Sequence, residues 1–487
     1  MKITRGTLAG LCVLAVAGLA AVVWAIAVPR PALYVVGLIA CAPLIGALLV
    51  RRKVLAGAVA VLVPVAAIAV PRVVLSAQVP SDVLWSARIA ENKPESLKLQ
   101  TWVVGDHLYV AGEQEPMHSY DRSNGHLIGT YPAATADHAA VAADGSVVGW
   151  TSENDKQQVT YYSPDGKVRW AQAHQGWTQL DRYPAWTPVV AAADGVVVLA
   201  DCDVAKLPVG PCTWTGVDAA GKTKWSHRTN WRPAESKGAT LVSSRTLPVL
   251  PSVVLVRADS QYVVLAATDG HEAVHRPWLV YTRTAVQADL ALFSERDGEQ
   301  CRLVGVRVTG QAFVTKGMPC LPDGPGPIRV IGDRAYLFTD DAQLTVSLKD
   351  GSWRALTGVS GYPDPTSSTV FGPDVLVRRT DRTLTATDSA SGAVLWTKKL
   401  PGNVRGVLVD NGGVYVESEP AVHNPMWSRG DQRNNYSQLT ALDAHTGRGT
   451  SSILRGAGRV YGGSAIGPGL ALAESDDGRT VSLVGAF

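Results

Sequence analysis

Any chemistry in this 487-residue chain must come from a few cysteines, several aromatic and arginine-rich segments, and a set of recurrent aspartates. Of six cysteines, Cys202, Cys212, Cys301 and Cys320 lie in the polar part of the chain. Cys202 and Cys212 sit at the ends of DCDVAKLPVGPC, and Cys301 and Cys320 are 19 residues apart. Neither pair has CxxC spacing or a neighbouring histidine, as zinc sites use, so disulfides Cys202–Cys212 and Cys301–Cys320 are expected and no metal ligands are assigned. Cys12 and Cys41 stand in apolar runs, where cysteine acts as a small apolar side chain.

The aromatic and arginine residues concentrate in long, Pro- and Gly-containing segments at 174–186, 227–240 and 418–437. Tyr183, Trp231, Arg232, His423, Trp427 and Arg429 are the candidate binding residues, because aromatic and Arg side chains are the usual anchors of interfaces. Trp177 and Trp186 fit equally well as packing residues. Asp165, Asp218, Asp388 and Asp443 recur just before glycines, where turn chemistry accounts for them. No GxSxG, HExxH or phosphate-binding glycine loop occurs, so no catalytic residue is assigned.

The elements that carry these residues form a repeat. TYYSPDGKVRW (160–170), TGVDAAGKTKW (215–225), TATDSASGAVLW (385–396) and TALDAHTGRGT (440–450) are its clearest copies. Trp170, Trp225 and Trp396 each follow a turn glycine by four residues. Weaker copies at 118–129, 264–274, 304–314 and 345–353 leave intervals of roughly 38 to 55 residues, the range of four-stranded blades. Val, Leu and Tyr alternating with polar residues give half-buried strands, and Asp-Gly supplies tight hairpins. The recurrent Trp fills the space between adjacent sheets. The expected fold is all-β, an eight-bladed β-propeller with seven or nine blades possible; the copy at 286–318 has neither the Asp nor the Trp of the motif. The segment 83–91 reads as an outer strand that closes the ring with strands from 458–487. Loops between second and third strands then share a face with the blade connections, which gathers the aromatic segments on one surface.

The N-terminal region differs in kind. Residues 1–75 hold seven of the 45 Lys and Arg residues and none of the 42 acidic ones, so the remaining 412 carry 38 basic against 42 acidic residues. Three uncharged apolar runs, at about 6–28, 31–50 and 54–71, are each long enough to cross a bilayer as a helix. Five basic residues (Lys2, Arg5, Arg51, Arg52, Lys53) against two (Arg30, Arg72) place the N-terminus in the cytoplasm and residues 76–487 outside. Ala25-Ile26-Ala27 also has the form of a signal cleavage site; either way the same domain is exported. A near-neutral exported domain lacks the concentrated basic surface of a nucleic-acid binder.

The Leu-Asp-Ala-x-Thr-Gly run at 442–447 and the Gly-x-x-x-Trp spacing resemble the repeats of the quinoprotein (PQQ-type) β-propeller superfamily. That superfamily includes quinoprotein alcohol dehydrogenases and a non-enzymatic propeller lipoprotein of outer-membrane protein assembly. The resemblance covers about residues 80–487 and implies a repeat rather than an activity. The dehydrogenases use an adjacent cysteine pair and Ca²⁺ held by Glu, Asn and Asp. No such pair and no recognisable ligand set is present here, so PQQ is disfavoured and no cofactor is expected. The composition resembles that of actinobacterial membrane proteins. The reading is a non-catalytic, multi-pass membrane-tethered scaffold binding an envelope protein or polymer. The alternatives are a PQQ- or metal-dependent oxidoreductase and a ligand sensor or accessory subunit of a membrane complex.

Overall fold

The computed structural model describes residues 82–487 outside 90–98, 175–188, 203–211, 230–231, 234–246, 278–281, 321–327, 339–342, 357–368, 419–436, 455–464, 475–479 and a few shorter gaps. The three apolar runs lie outside the described residues. What is described is all-β: nine antiparallel sheets arranged as a β-propeller. Eight sheets, blades 1 to 8, are each built from strands consecutive in the chain. They span residues 100–131, 139–174, 189–229, 232–277, 283–319, 328–356, 369–399 and 404–454. The ninth is composite: Ala465–Gly467, Leu470–Glu474 and Thr480–Gly485 are completed by Asp82–Arg88 from the other end of the chain. Asp82 lies opposite Gly485 and Arg88 opposite Thr480, which is the ring closure expected from the sequence.

The segment around 286–318 makes a sheet of its own, blade 5, which puts the number of sheets at the upper end of the seven-to-nine range. Its strands Leu290–Asp297 and Gln300–Arg307 are joined by a tight Asp297-Gly298 turn, with Gly298 at φ 63°, and eight consecutive residue pairs hold them in register without a Trp.

Among the described residues there is no single core. Eight apolar clusters each join residues of two neighbouring sheets, from Trp85, Leu108 and Leu483 at the first seam to Val377, Val409 and Val416 at the last. Because a blade is covered on both faces, its second strand reads as an apolar run rather than an alternation. Val196–Cys202 (VVVLADC) is buried at six of seven positions. The outermost strands do alternate: Val394–Lys399 has one edge and one face in water.

Candidate functional site

Four tryptophans tie a blade to the next. At four seams the indole lies on the turn glycine between the third and fourth strands of the following sheet: Trp85 on Gly125, Trp170 on Gly221, Trp225 on Gly270 and Trp396 on Gly447. These glycines have positive φ, and a Cβ at Gly270 or Gly447 would stand 2.6 or 2.7 Å from the indole, so nothing larger fits. Each indole Nε1–H also donates to the carbonyl three residues before its glycine: to Arg122 (3.1 Å), Asp218 (2.9 Å), Ala267 (3.0 Å) and Ala444 (2.7 Å). Two residues further along the strand, Gln172, His227 and Lys398 donate to the turn glycine's own carbonyl at 2.8, 2.9 and 3.1 Å. A second layer of ties uses tyrosine. Tyr109 and Tyr336 donate to the carbonyls of Gly145 (2.8 Å) and Gly372 (2.9 Å) in the next blade, and burial pushes both phenols up, Tyr336 to about 12.

The recurrent aspartates are turn residues, as expected. Asp218 accepts from the Ala220 and Lys222 amides, and Asp443 from those of His445 and Thr446. Side-chain and backbone hydrogen bonds hold Asp165 and Asp350 at about 2.

The seam between blades 4 and 5 departs from the pattern. Val274 stands four residues after Gly270, where blades 2, 3 and 7 carry Trp, and the space around Gly310 is open. Glu295 of blade 5, its side chain 2% exposed, takes up the connection. Arg276 of blade 4 donates to it through Nε and Nη2 at 2.8 and 2.9 Å, and Arg302, directly opposite on the next strand, adds an Nε bond of 2.9 Å. The Arg276 guanidinium also lies 5.8 Å from the Phe293 ring centre. Bidentate arginine is the geometry that compensates a buried carboxylate.

A second departure concerns the ring's axis. The sequence LPVLPS at 247–252 precedes the second strand of blade 4, where a first strand would stand. Its two prolines lack the N–H a ladder requires. The innermost strand of blade 4 is instead the two-residue Arg232–Pro233, and the later segment serves other blades. Leu247 N–H donates to Thr101 O (2.6 Å), Leu250 N–H to Val141 O (2.8 Å), and Ala192 N–H to Pro251 O (2.9 Å). Thr101, Val141 and Ala192 belong to the innermost strands of blades 1, 2 and 3, each paired with a strand on one side only, so the other edge faces the axis. This strap therefore runs along the axis-facing edges of three consecutive blades, with Leu247 and Leu250 packed against the clusters at the first two of their seams.

Both expected disulfides are present. Cys202–Cys212 joins facing residues of adjacent strands in blade 3, and Cys301–Cys320 links the third strand of blade 5 to the residue after its short fifth strand, Met318–Pro319. Of the six candidate binding residues, Arg232 lies in the innermost strand of blade 4, paired with Arg257. Tyr183, Trp231, His423, Trp427 and Arg429 lie outside the described residues, as do Trp177 and Trp186. Sequence reasoning missed the Glu295 cluster and the strap. The signal for the first was available, since Glu295 shares strand parity with the buried Ala291 and Phe293.

The fold defines the chain as a β-propeller. Residues 334–483 match the family described as outer membrane protein assembly factor BamB. Among solved structures, BamB from Moraxella catarrhalis is 14% identical, with 82% of this chain and 98% of that one covered at a TM-score of 0.36. Quinohemoprotein alcohol dehydrogenase from Comamonas testosteroni is 12% identical, with 79% and 78% covered at 0.34. Apo AztD from Citrobacter koseri is 12% identical, with 73% and 94% covered at 0.37. A search of curated proteins finds no match.

Proposed function

We propose that the protein is a non-catalytic, membrane-tethered extracytoplasmic scaffold whose propeller binds another envelope protein or polymer through its loop face. The observation that supports this best is the strap. A propeller dehydrogenase of the quinoprotein type would carry its quinone over the axis, and here a segment of the chain itself takes up axis-facing hydrogen bonds of three blades. Both cysteine pairs are separated in sequence, by 10 and 19 residues, so neither supplies the adjacent pair that flanks the quinone. Among the described residues no three His, Cys, Asp or Glu side chains gather as a metal site. The described residues do not fit PQQ with Ca²⁺.

The tether rests on the three apolar runs and the bias of basic residues in their loops, which together give a multi-pass cell-membrane protein with a cytoplasmic N-terminus. Binding by the loop face rests on the concentration of Trp, Tyr, Arg and His in the segments that connect blades there. The test is photocrosslinking in native membranes from Trp231 and Trp427, with a control position at Ala219 on the opposite face. Capture of one defined species from the first two positions and not from the third is expected. The same background from all three would overturn the assignment of the binding face. Calcium-dependent dye reduction by purified protein supplied with PQQ would overturn the non-catalytic reading.

A further inference from the structure

We infer that the propeller is presented with its Asp-rich turn face toward the bilayer and its opposite, loop-bearing face outward. The inference rests on the tether proposed above and adds which surface a partner can reach. Strand direction fixes it. Asp82–Arg88 is the outermost strand of the composite sheet and runs antiparallel to Thr480–Gly485, with Asp82 opposite Gly485. Third strands descend to the face carrying the turns between first and second and between third and fourth strands; fourth strands rise from it. The chain therefore joins the ring at the turn face. Trp85 confirms the level, since it covers Gly125, a turn glycine of that face.

Between Arg72 and Asp82 a fully extended chain reaches at most ~35 Å, which holds the point of attachment close to the membrane. That face is also chemically distinct. Counting its turns with the strand residue on either side, fourteen acidic side chains stand against seven lysines and arginines among the residues whose side chains are described. Thirteen of the fourteen are Asp, because the turns select Asp for its short hydrogen-bonding side chain. A surface of that charge gains nothing from anionic headgroups, so the ring stands off the bilayer rather than lying on it. Partners in the envelope then meet the other face.

The orientation is read by energy transfer in the full-length protein, reconstituted in phosphatidylcholine vesicles that carry a headgroup-labelled acceptor. Cys12 and Cys41 are replaced by alanine, and one donor-labelled cysteine is introduced as Ala390→Cys or Asp381→Cys. Both positions are exposed and flank the same strand of blade 7, Thr383–Asp388, the first on the turn face and the second on the opposite face. They are about 20 Å apart along the strand direction. Transfer several-fold stronger at position 390 is expected. Equal transfer, or stronger transfer at 381, overturns the orientation. Failure of the protein to float with vesicles overturns the tether instead and is seen before any transfer is measured.

Discussion

Glu295 is the residue on which the seam between blades 4 and 5 depends. Replacing it with alanine leaves the arginines of two blades without their carboxylate, and loss of one partner from a buried pair costs about 3–5 kcal/mol. The effect should fall toward the lower end because the Arg302 side chain is 37% exposed. Asp289→Ala, which removes a pair with Arg307 whose side chains are 42% and 56% exposed, should cost no more than about 1 kcal/mol. Urea denaturation of both variants checks the contrast, and equal effects would show that Glu295 is not the tie between blades 4 and 5. The tyrosines set a different limit. Burial pushes Tyr120, Tyr131 and Tyr336 up to about 12, above the ordinary value of 10, so the folded state holds their protons where the unfolded state has released them. Their contribution is complete below pH 10 and is lost as pH rises toward 12. Phenolate absorbance and loss of circular dichroism should therefore move together in that window; tyrosines ionising near pH 10 in a still-folded protein would contradict their burial.

At the scale of elements, the periodic glycines and tryptophans made the blades legible, while the destinations of the tryptophans were not. A repeat reports that Trp170 follows Gly166 by four residues; only the ring shows that its indole rests on Gly221 of the next blade and donates to Asp218 O. Trp170→Phe keeps most of the packing and removes one hydrogen bond, a loss of about 1 kcal/mol, whereas Trp170→Ala opens a cavity at about 3–5 kcal/mol. Thermal unfolding separates the two, and equal losses would place the value of the residue in its N–H alone. The strap was illegible for another reason. Its apolar residues look like a first strand, and two prolines divert it to the inner edges of three other blades, a destination that depends on ring curvature rather than local sequence. Cys202 and Cys212 were legible because facing positions on adjacent strands need no long-range information. The long loops were legible only as composition, and which side chains they bring together depends on backbone paths that composition does not encode.

At the scale of the molecule, closure and tethering act through the same strand. A ring whose apolar clusters lie at separate seams has no central core to fall back on, so opening one seam exposes sheet edges and apolar faces at once. A chain beginning at residue 90 lacks Asp82–Arg88, uncovers Gly125, and leaves Leu472, Val481 and Leu483 without Trp85. It should form large oligomers on gel filtration, and an excess of peptide 82–91 should restore the monomer; a stable monomer without the peptide would show that the composite sheet closes with three strands. The strand also carries the tether to the acidic face, so lipid charge should change the height of the ring. In vesicles with increasing anionic lipid at low salt, energy transfer from position 390 should fall as the turn face is repelled. It should recover in 1 M salt, where the screening length drops to ~3 Å. Position 381, farther from the headgroups, should respond less. Transfer at 390 that rises with anionic lipid would mean that the basic residues of this face, rather than its aspartates, meet the membrane.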